Sequence, residues 1–221
     1  MRKMMILIIF LLSIFTILSS FVPTTHATPL INDIGLPDAP VIINFDDPVF
    51  PVYSEGTAIT DQYASFGVTF SPGMYYNPIG DPAGIKGISG NYIGNFYIDN
   101  INQTIPTNNP FSIKFNNVQT EAAIALATNP GKTTLTARLN GVDVESFTQD
   151  TTYTNSETVF LGFTESLFNE ISISVYDPIN GYNIALVDTI QDCTAVPEPA
   201  TIFLLGSGLL GVGWLMRKRR A

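Results

Sequence analysis

Three aspartates are the residues best typed for ligation. Asp46 and Asp47 close the run Ile43-Asn44-Phe45, and Asp188 follows the run Ala185-Leu186-Val187 near the other end of the central region. Carboxylates are hard oxygen donors, and calcium takes about six to eight oxygens, backbone carbonyls included. If the first and last strands of the domain lie side by side, the three carboxylates meet, and calcium is the cofactor they would hold. Asp46 and Asp47 also have a plainer use, because aspartates ahead of a proline, here Pro48, readily form turns.

A second constellation is aromatic and amide in character. Tyr75-Tyr76 and Asn91-Tyr92, with Phe96 and Tyr97, fall on glycine-rich connections, and such groups stack on sugar rings and hydrogen-bond their hydroxyls. Binding residues concentrate on loops held by a rigid scaffold. In any β domain a share of these aromatics is core instead.

Other chemistry is poorly provided for. His26 is the single histidine, and it lies in a segment expected to be removed, so a nucleophilic triad has no base. Asn129-Pro130-Gly131-Lys132-Thr133-Thr134 imitates the end of a phosphate loop, but Leu126 stands where that motif needs its first glycine. A glycosidase needs only two carboxylates about 5 to 10 Å apart. Eighteen carboxylates between Thr28 and Val196 make such a pair inevitable, so their number is no argument for catalysis. No enzyme activity is expected. Cys193 is the one cysteine; it excludes an intramolecular disulfide and leaves a thiol just ahead of the C-terminal tail.

The net charge of −9 is strongly segregated. Between Thr28 and Val196 only Lys86, Lys114, Lys132 and Arg138 are cationic; the other basic residues lie at the two ends. Nucleic acid is excluded as a partner, because phosphate binding needs clustered Lys or Arg. Cations, neutral sugars and basic surfaces fit better.

The elements that would position these residues are strands. From Val41 to Ile190 short runs alternate apolar and polar side chains between Gly, Pro, Asn and Asp, the period-2 pattern of a half-buried strand. Phe111, Ile113 and Phe115 share one face, as do Leu135, Ala137 and Leu139, and Ile171, Ile173 and Val175. Asn140-Gly141 predicts a tight hairpin, since both residues accept the positive φ of a type I′ turn; Asn180-Gly181 is a second candidate. About ten strands are expected: 41–45, 67–70, 92–98, 111–115, 122–127, 133–139, 142–148, 157–163, 170–176 and 182–190. That number with regular turns predicts an all-β fold, a jelly-roll-like β-sandwich, with an open barrel as the alternative.

The ends are built differently. Residues 1–27 carry Arg2 and Lys3, an apolar stretch from Met4 to Leu18, and Thr25-His26-Ala27, which places signal-peptidase cleavage between Ala27 and Thr28. An uncleaved anchor is the competing reading. At the other end Pro197-Glu198-Pro199 precedes an apolar stretch, residues 201–216, and the basic cluster Arg217, Lys218, Arg219 and Arg220. The prolines keep the motif extended and open to a peptidase. The stretch is a little shorter than the roughly 17 to 25 residues of an ordinary span, which suits a temporary stop, and the basic cluster would hold the terminus in the cytoplasm. A plain type I membrane anchor is the alternative.

This order of parts resembles the PEP-CTERM family of sorting signals. The resemblance implies that an exosortase-type membrane peptidase recognises Pro197, Glu198 and Pro199, removes the tail, and passes the protein from the membrane to the cell surface or to an extracellular polysaccharide matrix. A second resemblance lies at the front of the domain. Ile43-Asn44-Phe45-Asp46-Asp47, Ile59-Thr60-Asp61-Gln62-Tyr63 and Gly67-Val68-Thr69-Phe70 resemble exported PEP-CTERM proteins with a galactose-binding-like jelly-roll body. Where that family closes on an Ile-Asp-Asp type strand, this chain reads Ala185-Leu186-Val187-Asp188-Thr189-Ile190, with one acid.

The expected organisation is a signal peptide (1–27), an N-terminal linker (28–40), a β-sandwich (41–192), a linker with the PEP motif (193–200), a transmembrane helix (201–216) and a basic cytoplasmic tail (217–221). The expected function is a non-catalytic surface or matrix protein whose sandwich binds carbohydrate with calcium. A purely structural adhesion protein is the alternative, and a small carboxylate-dependent glycoside hydrolase ranks behind both.

Overall fold

The computed structural model of the chain describes residues 28–37, 39, 41–46, 51–78, 88, 90–96, 108–152, 159–179, 181 and 183–194. The expected signal peptide, the Pro197-Glu198-Pro199 motif, the 201–216 stretch and the basic tail lie outside the described residues. Among those described, no helix is long and apolar enough to cross a membrane.

The described residues form twelve strands: β1 (Thr28–Asn32), β2 (Val41–Asn44), β3 (Ala58–Ile59), β4 (Val68–Phe70), β5 (Met74–Asn77), β6 (Tyr92–Gly94), β7 (Phe111–Thr128), β8 (Gly131–Leu139), β9 (Val142–Thr151), β10 (Phe160–Thr164), β11 (Phe168–Tyr176) and β12 (Ala185–Thr194). A 3-10 turn at Ala64–Phe66 precedes β4. All pairings are antiparallel.

The organising element is β7, which changes partners along its length. Its first part pairs β4 and β11, with Ile113 opposite both Phe70 and Ile171. Its second part pairs β10 and β12, with Ala123 opposite Gly162 and Gln191. One layer therefore runs β4-β7-β11-β8-β9. The other runs β1-β10-β7-β12, with β2 and β6 side by side on the far edge of β12 and β5 and β3 beyond β6. Phe111, Ile113, Leu135, Ile173 and Val175 of the first layer share one apolar cluster with Ile43, Met74, Ile93, Ile124 and Val187 of the second. Two antiparallel layers over a common core are consistent with a β-sandwich.

Eight of the expected strand regions are recognisable one for one, and the Asn140-Gly141 hairpin forms with both residues at positive φ between paired Leu139 and Val142. The expected strands 111–115 and 122–127 prove to be one strand. Asn116 and Asn117 are exposed between them and read as a break in the sequence, yet the ladder is kept there, with the Asn116 N–H donating to the Gly67 carbonyl and its side chain to that of Ala64. The sheet also starts earlier than expected, since Thr28–Asn32, inside the segment read as a linker, pairs with β10. β12 continues to Thr194, so Cys193 lies in a strand, packed beside Leu36, Ala123, Ala125 and Phe160.

Candidate functional site: the carboxylate junction and the sorting tail

The expected ligand site is built where β2 and β6 meet on β12. β2 pairs residues 189–192 of β12 and β6 pairs 186–187, so Asp188 lies between the two pairings, at a register shift. Asp46 follows β2 on the adjoining chain, and its Oδ1 accepts a hydrogen bond from the Asn91 N–H, just before β6. The Asn91 side-chain amide in turn donates to the Phe45 carbonyl at 3.1 Å. Gly90 makes this possible: its φ is +69°, and a Cβ there would occupy the position of the Asp46 carboxylate.

β2 and β12, the counterparts of the first and last strands expected from the sequence, thus run side by side, with Asp46 two residues past the end of β2 and Asp188 just past the end of that pairing. Asp46 is exposed and Asp188 buried, and Asp47 lies outside the described residues. Among the described residues no group of three or more His, Cys, Asp or Glu side chains is placed to hold a metal ion. Asp46 is engaged by backbone rather than held open, so the described residues do not by themselves fit a calcium ion, which needs several convergent oxygens.

The aromatic set divides. Tyr76 is 0% and Tyr92 8% exposed, and both serve in the interior. Burial pushes both phenols to higher pKa, with the nearby Asp46 carboxylate adding to the effect at Tyr76. Tyr75 and Asn91 are half-buried. Phe96 is half-buried and packs against Ile88, Tyr92, Ala127 and Leu186, while Tyr97 lies outside the described residues. Alternation along β5 carries the reason, because Met74 and Tyr76 point to the core on either side of Tyr75.

At the N-terminal end, Thr28 of the expected cleavage site opens β1. Its hydroxyl donates to Glu165 Oε2 at 2.9 Å, and its carbonyl accepts from the Thr164 hydroxyl. Ala27 lies outside the described residues.

At the C-terminal end, β12 is an inner strand, paired with β7 on one side and with β2 and β6 on the other, and it ends at Thr194. Asp192, two residues earlier, is opposite both Ala122 and Val41, is 4% exposed, and its Oδ1 has no hydrogen-bond partner among the described residues. Burial pushes its carboxyl up to about 6. Residues 195–220, directly after the strand, match the PEP-CTERM protein-sorting motif. The tail is a PEP-CTERM sorting signal. Pro197, Glu198 and Pro199, with Arg217, Lys218, Arg219 and Arg220, all fall within the match. No curated protein matches the chain.

The PEP-CTERM signal marks the chain as an exosortase substrate: an exported protein held transiently in the membrane by its C-terminus and then localised to the surface. Only Ala195 and Val196 separate the end of β12, an inner strand, from Pro197 in the sequence.

One surface was overlooked in the sequence, the outward face of β8, β9 and β11. Its signal was present, since Thr134, Thr136, Ser172 and Ser174 put hydroxyls at alternate positions of their strands. Hydroxyls at such positions read as ordinary solvated strand face until registers align them.

Proposed function

We propose that the protein is a surface or matrix component whose galactose-binding-like, jelly-roll sandwich binds extracellular polysaccharide without transforming it. The observation that carries this reading is the direct continuity of β12 with the PEP-CTERM motif, which makes the sandwich the cargo delivered outside the cell. The absence of histidine between Thr28 and Val196 supports a non-catalytic role, because general-base chemistry most often uses that residue. Calcium enters as a condition to be tested. Asp46 follows β2, Asp188 lies just past the pairing of β2 with β12, and Asp47 adjoins Asp46 in sequence.

The test is binding of the full chain, purified in mild detergent, to a panel of polysaccharides with calcium and with chelator, the melting temperature being followed in both. Binding to at least one glycan is expected, and chelator decides whether calcium has a share in it. No binding under either condition contradicts the reading.

A purely structural role is the second reading. The observation that favours it is β9, ten residues long at the end of its layer and paired on one side by β8. Such an edge can recruit a strand from another chain. Glycan binding by a protein that also associates through this edge would fit a matrix component of either kind.

A further inference from the structure

We propose that the outward face of the β4-β7-β11-β8-β9 layer is the docking surface, and that its occupant is a neutral polysaccharide chain. The inference rests on the carbohydrate-binding reading above and gives it a location.

The registers of β11, β8 and β9 set polar side chains in straight rows across the layer. Thr136 lies between Ser172 and Ser146, and Thr134 between Ser174 and Thr148. The Thr134 and Thr148 hydroxyls are 2.8 Å apart and those of Thr136 and Ser146 3.1 Å. Neighbouring strands repeat at about 4.8 Å, and same-face residues along a strand at about 6.6 Å, so the hydroxyls of Thr134, Thr136, Ser146, Thr148 and Ser174 recur across the face, with Ser172 buried among its neighbours. A hydroxyl offers one donor and two acceptor sites; the Thr134–Thr148 pair keeps one donor and acceptors to spare, while in the Thr136–Ser146 pair the Ser146 hydroxyl donates to the Leu135 carbonyl at 3.1 Å and acceptors remain. A polysaccharide presents the same type of group at intervals along an extended chain.

Charge selects among polysaccharides. Lys114, Lys132 and Arg138 are three of the four cations between Thr28 and Val196, and all three lie on this face. Each meets a carboxylate: Lys132 to Asp150 at 2.8 Å, Arg138 to Asp143 at 2.6 Å, and Lys114 and Arg138 to Glu170 at 3.7 and 3.5 Å. The exposed Lys132–Asp150 pair adds little stability. The effect of the pairs together is to make one face of a strongly acidic domain locally neutral, with the hydroxyl rows between the charged ones. An anionic polymer would be repelled by the rest of the domain, and a cationic one would be drawn to that rest instead. A neutral chain meets no penalty here and finds hydroxyl partners.

Tyr176 completes the surface. It stands at the end of the row Tyr176-Lys132-Asp150 and is 62% exposed. A tyrosine ring offers an apolar face and a polar tip, which suits stacking on a sugar ring at the end of the row.

The experiment uses the full chain in mild detergent, with dextran and amylose as neutral polymers and alginate as an acidic one, compared by affinity electrophoresis. Two variants probe the face independently: Tyr176→Ala, and the double substitution Thr134→Val with Thr136→Val, which removes hydroxyls and keeps β-branched residues in the strand. Melting temperatures within a few degrees of the parent show that both remain folded. The expected result is binding to a neutral polymer that weakens at least tenfold in each variant. Parent-like binding by both variants overturns this location and leaves the carbohydrate-binding reading standing, as does binding to alginate alone. A parent chain that binds none of the polymers overturns both.

Discussion

The carboxylate of Asp46 occupies the space that a side chain on Gly90 would need, and from there it accepts the Asn91 N–H. This contact ties the end of β2 to the start of β6, two strands that share an edge of β12 without pairing to each other. Gly90→Ala should therefore be destabilising twice over, through the positive φ and through displacement of the carboxylate. A loss of about 2 kcal/mol is expected in denaturant unfolding. Asp46→Ala should recover part of that loss in the double variant, because the space is then vacant.

Asn95 predicts a larger effect. It is fully buried, its Oδ1 accepts the Ala185 N–H at 2.8 Å, and its Nδ2 donates to the carbonyls of Asn183 and Asn108 at 2.8 and 3.1 Å. One side chain thus satisfies two backbone groups at the start of β12 and one ahead of β7. Asn95→Ala leaves them without that partner and should cost about 2 to 4 kcal/mol, read as a shifted denaturant midpoint.

Asp192 gives the fold a pH dependence of defined sign. Burial raises its carboxyl from 3.8 to about 6, so between those values the folded protein holds a proton that the unfolded chain has released. Stability contributed by this group is complete below about pH 4 and falls as pH rises through 6. Asp192→Asn should remove that slope and raise the melting temperature at pH 7 relative to the parent. Melting curves from pH 4 to 7 for the two proteins check it, and identical slopes would contradict it.

Gly162 tests the layer that holds β1. It pairs with Ala123 of β7 and Leu30 of β1, and a Cβ there would run into the Ala122 carbonyl. The obstacle is backbone in an inner strand, so the site has little room to relax. Gly162→Ala should lower stability by about 2 to 4 kcal/mol, with protease sensitivity appearing first near residues 28–32.

What could be read from the sequence depended on how local its cause was. Asn140-Gly141 encodes its turn in two residues, and Ile171, Ile173 and Val175 encode a buried face by spacing alone, so both were legible. The tail was legible because its motif is linear. β7 was not, because whether Asn116 and Asn117 end a strand or carry it between two layers is decided by β4 and β11, far away in sequence. β1 begins Thr28-Pro29, a composition that suits a linker and equally an edge strand. β3 is two residues long and gives no period. At the site, the pairing of the strand that precedes Asp46 with the strand that carries Asp188 was legible. The role of Gly90 in seating Asp46 depends on a contact between residues 44 positions apart. Tyr75 and Tyr76 look alike as letters, and only the orientation of β5 says which one is core.

The central claim is that this sandwich is delivered to the surface by a signal that is then removed. The most direct test is the intact mass of the protein recovered from the surface and medium of cells producing the full chain. The account predicts a species that starts at Thr28 and lacks residues 201–221. A recovered protein that still carries 201–221 would contradict it and leave the C-terminus as a permanent anchor.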